Sequence, residues 1–324
     1  MSYSQEVYTR ATEILERRRE RANLEAQDRI DEVSEKLPEI STIQQKLAQI
    51  GLSISKVFLY STDKQADIEK LMEESLALQE QKKVLLTKNG YSENALDVQY
   101  TCPACKDTGF IGSRRCKCHN EILKDIERSN LAKIAPIEDC TFDTFDVNYY
   151  PQQIMENSIS PQEKAERIKE SCRKYATAFT TASKNILFMG GTGLGKTHLS
   201  LAIANTVINR GFSVVYGTAQ NILSDLQNEN FGRDDNLRYY ERAVLNCDLL
   251  ILDDLGTEFK SAYTVACLYN IINSRLSAKL PTIISTNYTF DELEEKYDQR
   301  ITSRIAGEYR PLILVGNDIR YIKE

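Results

Sequence analysis

At 324 residues, with 41% hydrophobic and 27% charged residues, the chain is long enough for two domains and has the composition of an ordinary soluble globular protein. Its net charge of −6 excludes a global positive field, so any nucleic-acid binding must come from a local groove and stacking aromatics. The longest apolar runs are strand-sized and the N-terminus lacks the apolar core of a secretion signal, which predicts a cytoplasmic protein with no membrane partner.

From Ser4 to about Leu37 a stretch without Pro or Gly keeps Val7, Ala11, Ile14, Ala22, Ile30, Val33 and Leu37 at largely three-or-four spacing, which predicts an amphipathic helix. A second helix is expected from about Thr62 to Lys88, with Ile68, Leu71, Leu78 and Leu85 on one face. Between them, Pro38 to Tyr60 carries a shorter helical pattern with a break expected at Gly51. The pattern fits equally a helical bundle packed on itself and a surface for a partner's helices.

Asn89-Gly90 marks a stop, after which Cys102-Pro-Ala-Cys105 opens a loop-rich module that closes with Cys116-Lys-Cys118-His119. Eight cysteines in a cytosolic chain point to metal or buried thiols rather than disulfides. Two thiolate pairs brought together across a hairpin, turned by Gly109 and Gly112, supply a tetrahedral soft-ligand set suited to structural zinc. Cys102, Cys105, Cys116 and Cys118 are the expected ligands, and His119 is the substitute if the C-x-C pair is strained. Cys140, Cys172, Cys247 and Cys267 are isolated in sequence and read as buried thiols.

Residues 136–160 read as a linker, followed by a charged helix from about Pro161 to Ala182. Strands are then expected at Asn185 to Met189, Ser213 to Tyr216, Asp248 to Leu252, Thr282 to Ser285 and Leu312 to Val315. Helices are expected around Ala219 to Asn228, Asn236 to Asn246 and Ala262 to Ser277, so strands alternating with helices predict an α/β domain with a parallel sheet. The expected division is 1–95 helical, 96–135 cysteine module, 136–160 linker and 161–324 α/β domain.

The run Gly190, Gly191, Thr192, Gly193, Leu194, Gly195, Lys196, Thr197 completes the pattern G-x-x-x-x-G-K-[ST] between a predicted strand and a predicted helix. Its glycines let successive N–H groups converge on phosphate oxygens at the positive end of a helix. Lys196 can reach the outer phosphates and Thr197 can ligate magnesium, so a nucleoside triphosphate is the expected ligand. His198 closes this nucleotide-binding stretch and most simply packs the helix. The apolar strand DLLILDD ends in Asp253 and Asp254, 57 residues after Lys196. At the carboxyl end of a parallel sheet these acids emerge beside the triphosphate, Asp253 to hold magnesium and Asp254 to orient or deprotonate the attacking water. Asn287, after the strand PTIIST, can hydrogen-bond the water or the outer phosphate.

GGTGLGKTHLSLAIA, LLILDDLGTE, IISTN, RITSRIAG and GNDIR, in this order and spacing, resemble the AAA+ ATPase domain of bacterial replicative helicase loaders of the DnaC/DnaI type. The resemblance covers roughly residues 140–324, and YTCPACKDTGFIGSRRCKCHN resembles the cysteine module of many such proteins. It implies ATP, Mg2+ and Zn2+ as cofactors, with the hexameric replicative helicase, single-stranded DNA and further copies of the chain as partners. It also implies that residues 1–95 engage the helicase, that Arg304 is an arginine finger acting on a neighbouring subunit, and that Arg320 is a nucleotide-sensing arginine. Phe231, Ser261 and Tyr263 fall close to positions with which such loaders hold single-stranded DNA. Many AAA+ enzymes carry Glu where this chain has Asp254, which puts the turnover rate in question. Two rival readings are an IstB-type transposition helper ATPase and a non-hydrolysing ATP-binding adaptor.

Overall fold

A computed structural model describes residues 3–60, 64–153, 159–231 and 239–321, with the side chains of 58–60 and 231 outside that description. Contacts divide the chain into two compact units, 12–116 and 1–11 with 117–324.

The unit 12–116 is built mainly on three helices, α1 (Gln5–Lys36), α2 (Pro38–Tyr60) and α3 (Lys64–Lys88). Ion pairs one turn apart, Glu13 with Arg17, Arg21 with Glu25 and Glu32 with Lys36, line the exposed side of α1. Pro38 stops α1 and starts α2, where its fixed φ suits the first helical position. The expected break at Gly51 does not occur: α2 runs through it, in open space with no atom within 4 Å of where a Cβ would sit. A lone glycine costs a helix only about 1 kcal/mol, too little to interrupt 23 residues. Gly90, at φ 82°, ends α3 in a Schellman turn in which Tyr91 N–H bonds Leu86 O (3.0 Å) and Gly90 N–H bonds Thr87 O (3.1 Å). Val33, Ile40, Leu86 and Leu96 form the buried core that joins the helices. The cysteine loops follow, with a two-residue hairpin of β1 (Phe110–Ile111) and β2 (Arg114–Arg115).

The other unit opens on α4 (Lys117–Ala132), a helix that the sequence reading does not foresee. Its Ile122, Leu123, Ile126 and Leu131 are buried at helical spacing. Then come α5 (Pro161–Thr177), β3 (Asn185–Met189), α6 (Lys196–Asn209), β4 (Val214–Thr218), α7 (Ala219–Phe231) and α8 (Tyr239–Asn246). β5 (Leu249–Leu255), α9 (Ala262–Ser277), β6 (Thr282–Thr286), α10 (Phe290–Lys296), α11 (Gln299–Glu308) and β7 (Tyr309–Ile313) complete it. The five long strands pair in the order β4-β5-β6-β3-β7, all parallel, as expected of strands alternating with helices. Alternate strand residues face opposite layers. Ile186, Phe188, Leu249, Ile251 and Ile283 pack against α5 and α6, whereas Leu187, Met189, Leu250, Leu252 and Ile284 pack against α7 to α11.

Several boundaries differ from expectation, among them the end of α5, at Thr177 rather than Ala182. β7 starts at Tyr309 rather than Leu312 and holds Pro311 mid-strand, which is tolerated because β7 is an edge strand. β5 continues through both acids to Leu255, with a register shift against β6 between Leu252 and Leu255. The stretch 136–153, read as linker, instead carries Ile137, Phe142, Phe145 and Tyr150 into the core. Among the described residues no helix is long and apolar enough to cross a membrane.

Arg275 of α9 is fully buried and, among the described residues, makes no contact with a carboxylate. Its guanidinium donates to Thr282 Oγ1 (2.9 Å), Val244 O (2.9 Å), Cys247 O (3.1 Å) and Pro281 O (2.7 Å), capping the C-terminal end of α8 and tying it to β6. Arg275→Met leaves several buried carbonyls unpaired, at about 1–3 kcal/mol each. It is expected to lower the urea unfolding midpoint by an amount equivalent to at least about 3 kcal/mol with the slope unchanged.

Candidate functional site

The sulfurs of Cys102, Cys105, Cys116 and Cys118 lie within 4.8 Å of one another, with Cys102 and Cys116 3.7 Å apart. A metal bound tetrahedrally at about 2.3 Å separates its sulfur ligands by about 3.8 Å, so this donor set fits zinc. Lys106 and Asp107, both at φ 53°, make the turn that returns the chain toward Cys116. The buried Asp107 carboxylate accepts from the N–H groups of Thr101 and Cys102, both at 2.8 Å, and fixes the first ligand loop. His119 is buried in the first turn of α4 and stands outside this group of four sulfurs. Cys140, Cys172 and Cys247 are buried and Cys267 half-buried, as expected of isolated thiols.

Because all five strands are parallel, the loops after β3, β5, β6 and β7 leave the sheet at one edge. A cavity of about 350 Å³ opens there, lined by Thr192 to His198, Asp254, Asn287 and Arg320 from the predicted set. The Gly190–Thr197 loop is caged on three sides, which explains its glycines. A Cβ on Gly190 would meet Leu314 O at 2.3 Å, one on Gly193 would meet Asp318 Oδ1 at 1.7 Å, and one on Gly195 would meet the Phe145 ring at 2.7 Å. All three have positive φ as well. Tyr150 donates to Leu194 O (2.7 Å) and Ile319 N–H to Gly193 O (3.1 Å), so chain segments on either side of the sheet motif hold the loop.

Lys196 folds back into this loop. Its ammonium donates to Gly190 O (2.8 Å), Gly191 O (2.7 Å) and Asn287 Oδ1 (2.6 Å), and burial pulls its pKa below the usual lysine range, against the pull of Asp254 and Asp253. Asp253, buried at the end of β5, accepts from Thr197 Oγ1 (2.8 Å), Tyr216 Oη (2.9 Å) and Ser285 Oγ. Thr197 and Asp253 therefore present oxygen atoms side by side, the donor type that magnesium requires. Asp254 sits at φ 52° on the irregular turn of β5, and its N–H bonds Ser285 Oγ (2.9 Å). That conformation turns its carboxylate toward the cavity instead of along the strand. Burial, and then the neighbouring Asp253, raise its pKa, while Lys196 and Arg320 lower it less. Arg320 reaches the cavity from a short 3-10 turn at Ile319–Tyr321, held by a bidentate pair with Asp318 (2.9 and 2.6 Å).

Arg304, Ser261 and Tyr263 do not line this cavity. Arg304 is on α11, against Tyr269 and Asn273 of α9. Ser261 is the N-cap of α9 in a reciprocal box with Thr264, and the Tyr263 hydroxyl accepts from Asn230 (3.1 Å). Phe231 closes α7, its side chain lying outside the described residues. His198 lines the cavity but is held by Thr141 O (2.7 Å) and by the edge of Phe145, which fits a packing role.

Thr144, Phe145, Asp146 and Tyr149 form the far wall of the cavity and were missed in the sequence, as were Tyr216 and Ser285 beneath the acids. The aromatic run FDTFDVNYY was visible, but nothing local to it says that it folds over the phosphate loop.

Residues 158–306 match the family model described as IstB-like ATP binding protein. The replicative helicase loader DnaC of Escherichia coli (strain K12) is 27% identical over 201 residues, 62% of this chain and 77% of that protein. The replicative helicase loader DnaC of Buchnera aphidicola subsp. Baizongia pistaciae (strain Bp) is 28% identical over 154 residues, 46% of this chain and 61% of that protein. A crystal structure of the DnaC helicase loader superposes with a TM-score of 0.47 at 23% identity, over 56% of this chain and 99% of that one. The resemblance read from the motifs to loaders of the DnaC type is thus borne out by sequence relatives, and the ATP-binding domain by the family model.

Two measurements test this geometry. Elemental analysis of chelator-free protein is expected to find about one zinc per chain, falling below half of that in Cys105→Ser, and a metal-free wild type would refute the four-sulfur site. The raised pKa of Asp254 means that the folded chain binds a proton more tightly than the unfolded one, so this carboxylate costs stability above its folded pKa and the cost fades as pH falls toward the ordinary aspartate value. Asp254→Asn, which also tolerates a positive φ well, is expected to raise Tm at pH 7 by a few degrees, with the gain shrinking in acid.

Proposed function

We propose that this chain is an ATP-regulated loader of the hexameric replicative DNA helicase onto single-stranded DNA. The observation that carries the proposal is the convergence of Lys196, Thr197 with Asp253, Asp254, Asn287 and Arg320 around one cavity, in a chain whose relatives are replicative helicase loaders. ATP is the substrate, with its outer phosphates toward Lys196 and Asn287. Thr197 and Asp253 would hold magnesium, which would supply charge neutralisation at the phosphates. Asp254 takes or orients the proton of the attacking water, and its raised pKa makes it a better base than an exposed aspartate. Arg320 reads the nucleotide from its own subunit, and Arg304 completes a neighbour's site, which requires self-assembly. Loss of the outer phosphate removes contacts made from two subunits, so hydrolysis works as a release switch.

Residues 1–95 are assigned to the grip on the helicase, 96–135 to a zinc-stabilised module and 161–324 to the ATPase. Phe231, Ser261 and Tyr263 are assigned to single-stranded DNA, where stacking and backbone contacts suit an acidic protein. Lys260 and the exposed Phe259 adjoin them, adding a cation and a second aromatic face at the same loop.

A transposition-helper role has one specific observation in its favour, the match of 158–306 to the IstB-like model. Native mass spectrometry of the full chain with its host's replicative helicase and ATP distinguishes the two. A complex that is lost on removal of residues 1–135 is expected. No complex with either form, together with ATP-dependent filaments on double-stranded DNA, would transfer the assignment to the transposition helper. Steady-state phosphate release lost in Asp254→Asn is expected as well, and its absence from the wild type would leave a non-hydrolysing adaptor.

A further inference from the structure

Arg300 and Arg304 both lie on α11 and both stack on the ring of Tyr269, at 5.4 and 4.9 Å from its centre, yet their charges are used differently. Arg300 is neutralised by a bidentate pair with Asp298. Arg304 touches no carboxylate among the described residues. Its three bonds go to neutral acceptors, one from each nitrogen: Nε to Asn273 Oδ1 (3.2 Å), Nη1 to Arg300 O (2.8 Å) and Nη2 to the Tyr269 hydroxyl (3.1 Å). A guanidinium has five N–H groups, so one N–H on each terminal nitrogen is left over, and the full positive charge is kept. A side chain rich in rotamers is thereby fixed in place before it meets an anion, with the donor geometry suited to two phosphate oxygens.

We infer that Tyr269 and Asn273, one turn apart on α9, are positioning residues for Arg304 and act on the ATP site of the neighbouring subunit rather than on their own. The inference rests on the assignment of Arg304 as a finger acting in trans. Neither residue lines the cavity of its own chain, so neither has a route to chemistry there. The neutral character of both acceptors is the essential point: Asp or Glu at 273 would hold the same nitrogen but quench the charge that a triphosphate needs.

The test uses full-length subunits mixed in the presence of ATP, DNA and the helicase, with phosphate release as the readout. Subunits carrying Arg304→Ala keep an intact ATP site but offer no finger, and subunits carrying Lys196→Ala offer a finger but no working site. Each alone is expected to be inactive and the mixture active. Tyr269→Leu added to the Lys196→Ala subunit is expected to cut the mixture's kcat at least tenfold with KM for ATP within about twofold, since arginine fingers contribute about 10³–10⁵ in kcat. The same change added to the Arg304→Ala subunit is expected to leave the mixture unaffected. Tyr269→Phe, which keeps the stacked ring, is expected to restore part of the loss, and Asn273→Asp to lower kcat more than Asn273→Ala. An equal loss from either placement of Tyr269→Leu would mean a structural role and overturn the inference. An inactive parent mixture would overturn the trans finger itself, a separate failure from that of Tyr269.

Discussion

Asp253 is the hub on which the site depends. Its buried carboxylate accepts from hydroxyls carried by α6, β4 and β6, namely Thr197, Tyr216 and Ser285, so three elements around the strand end are referred to one anionic group. Burying a carboxylate is costly unless its lone pairs are filled, and here hydroxyl donors fill them. The same Ser285 oxygen accepts the N–H of Asp254, which anchors the backbone where β5 leaves its register. The two acids at the end of one strand thus receive different environments. Asp253 is held fast among donors, and Asp254 is turned out at a positive φ into the cavity with a raised proton affinity. Two adjacent acids in different environments arise from one irregular residue in the strand.

The phosphate loop shows the same economy with a different constraint. Gly190, Gly193 and Gly195 are each closed in by a neighbour, respectively the backbone of Leu314, the carboxylate of Asp318 and the ring of Phe145. Asp318 does two things at once, filling the space above Gly193 and orienting Arg320. A change at Gly193 would therefore disturb both the loop and the arginine. Such double use explains why a segment as short as 316–321 can reach the nucleotide cavity without a helix behind it.

The fold of the α/β unit was largely legible, because buried parallel strands read as apolar runs and the phosphate loop announces its own strand-turn-helix context. The boundaries were less so. α10 went unnoticed although Thr289-Phe-Asp-Glu292 is a capping box that the structure realises in full. α4 was masked by the cysteine pattern, which draws attention to ligands and away from the apolar spacing of Ile122, Leu123 and Ile126. Lys196, Thr197, Asp254, Asn287 and Arg320, which stand inside recognisable motifs, line the cavity, whereas residues that reach it through tertiary packing were not read from the sequence. Phe145 and Tyr149 come from a stretch that reads as linker, and Tyr216 sits in the middle of β4, a strand with no motif of its own. A chain pattern records local geometry, whereas the wall of a cavity is set by which segments the sheet order brings together.

Helix α9 joins these separate parts. Its first turn is fixed by the Ser261–Thr264 box, its middle presents Tyr269 and Asn273 to α11, and near its end Arg275 binds the carbonyls closing α8 and the chain entering β6. Leu268, Ile271 and Ile272 press the helix onto the sheet between these points. A helix pinned at both ends and along one face moves as a body or not at all. The proposed strand contacts at Ser261 and Tyr263 and the support of Arg304 are thus on a single rigid element, about two turns apart. The two acceptors that α9 offers Arg304 are neutral, so they orient its guanidinium without cancelling the charge, whereas a carboxylate partner would have held it and quenched it.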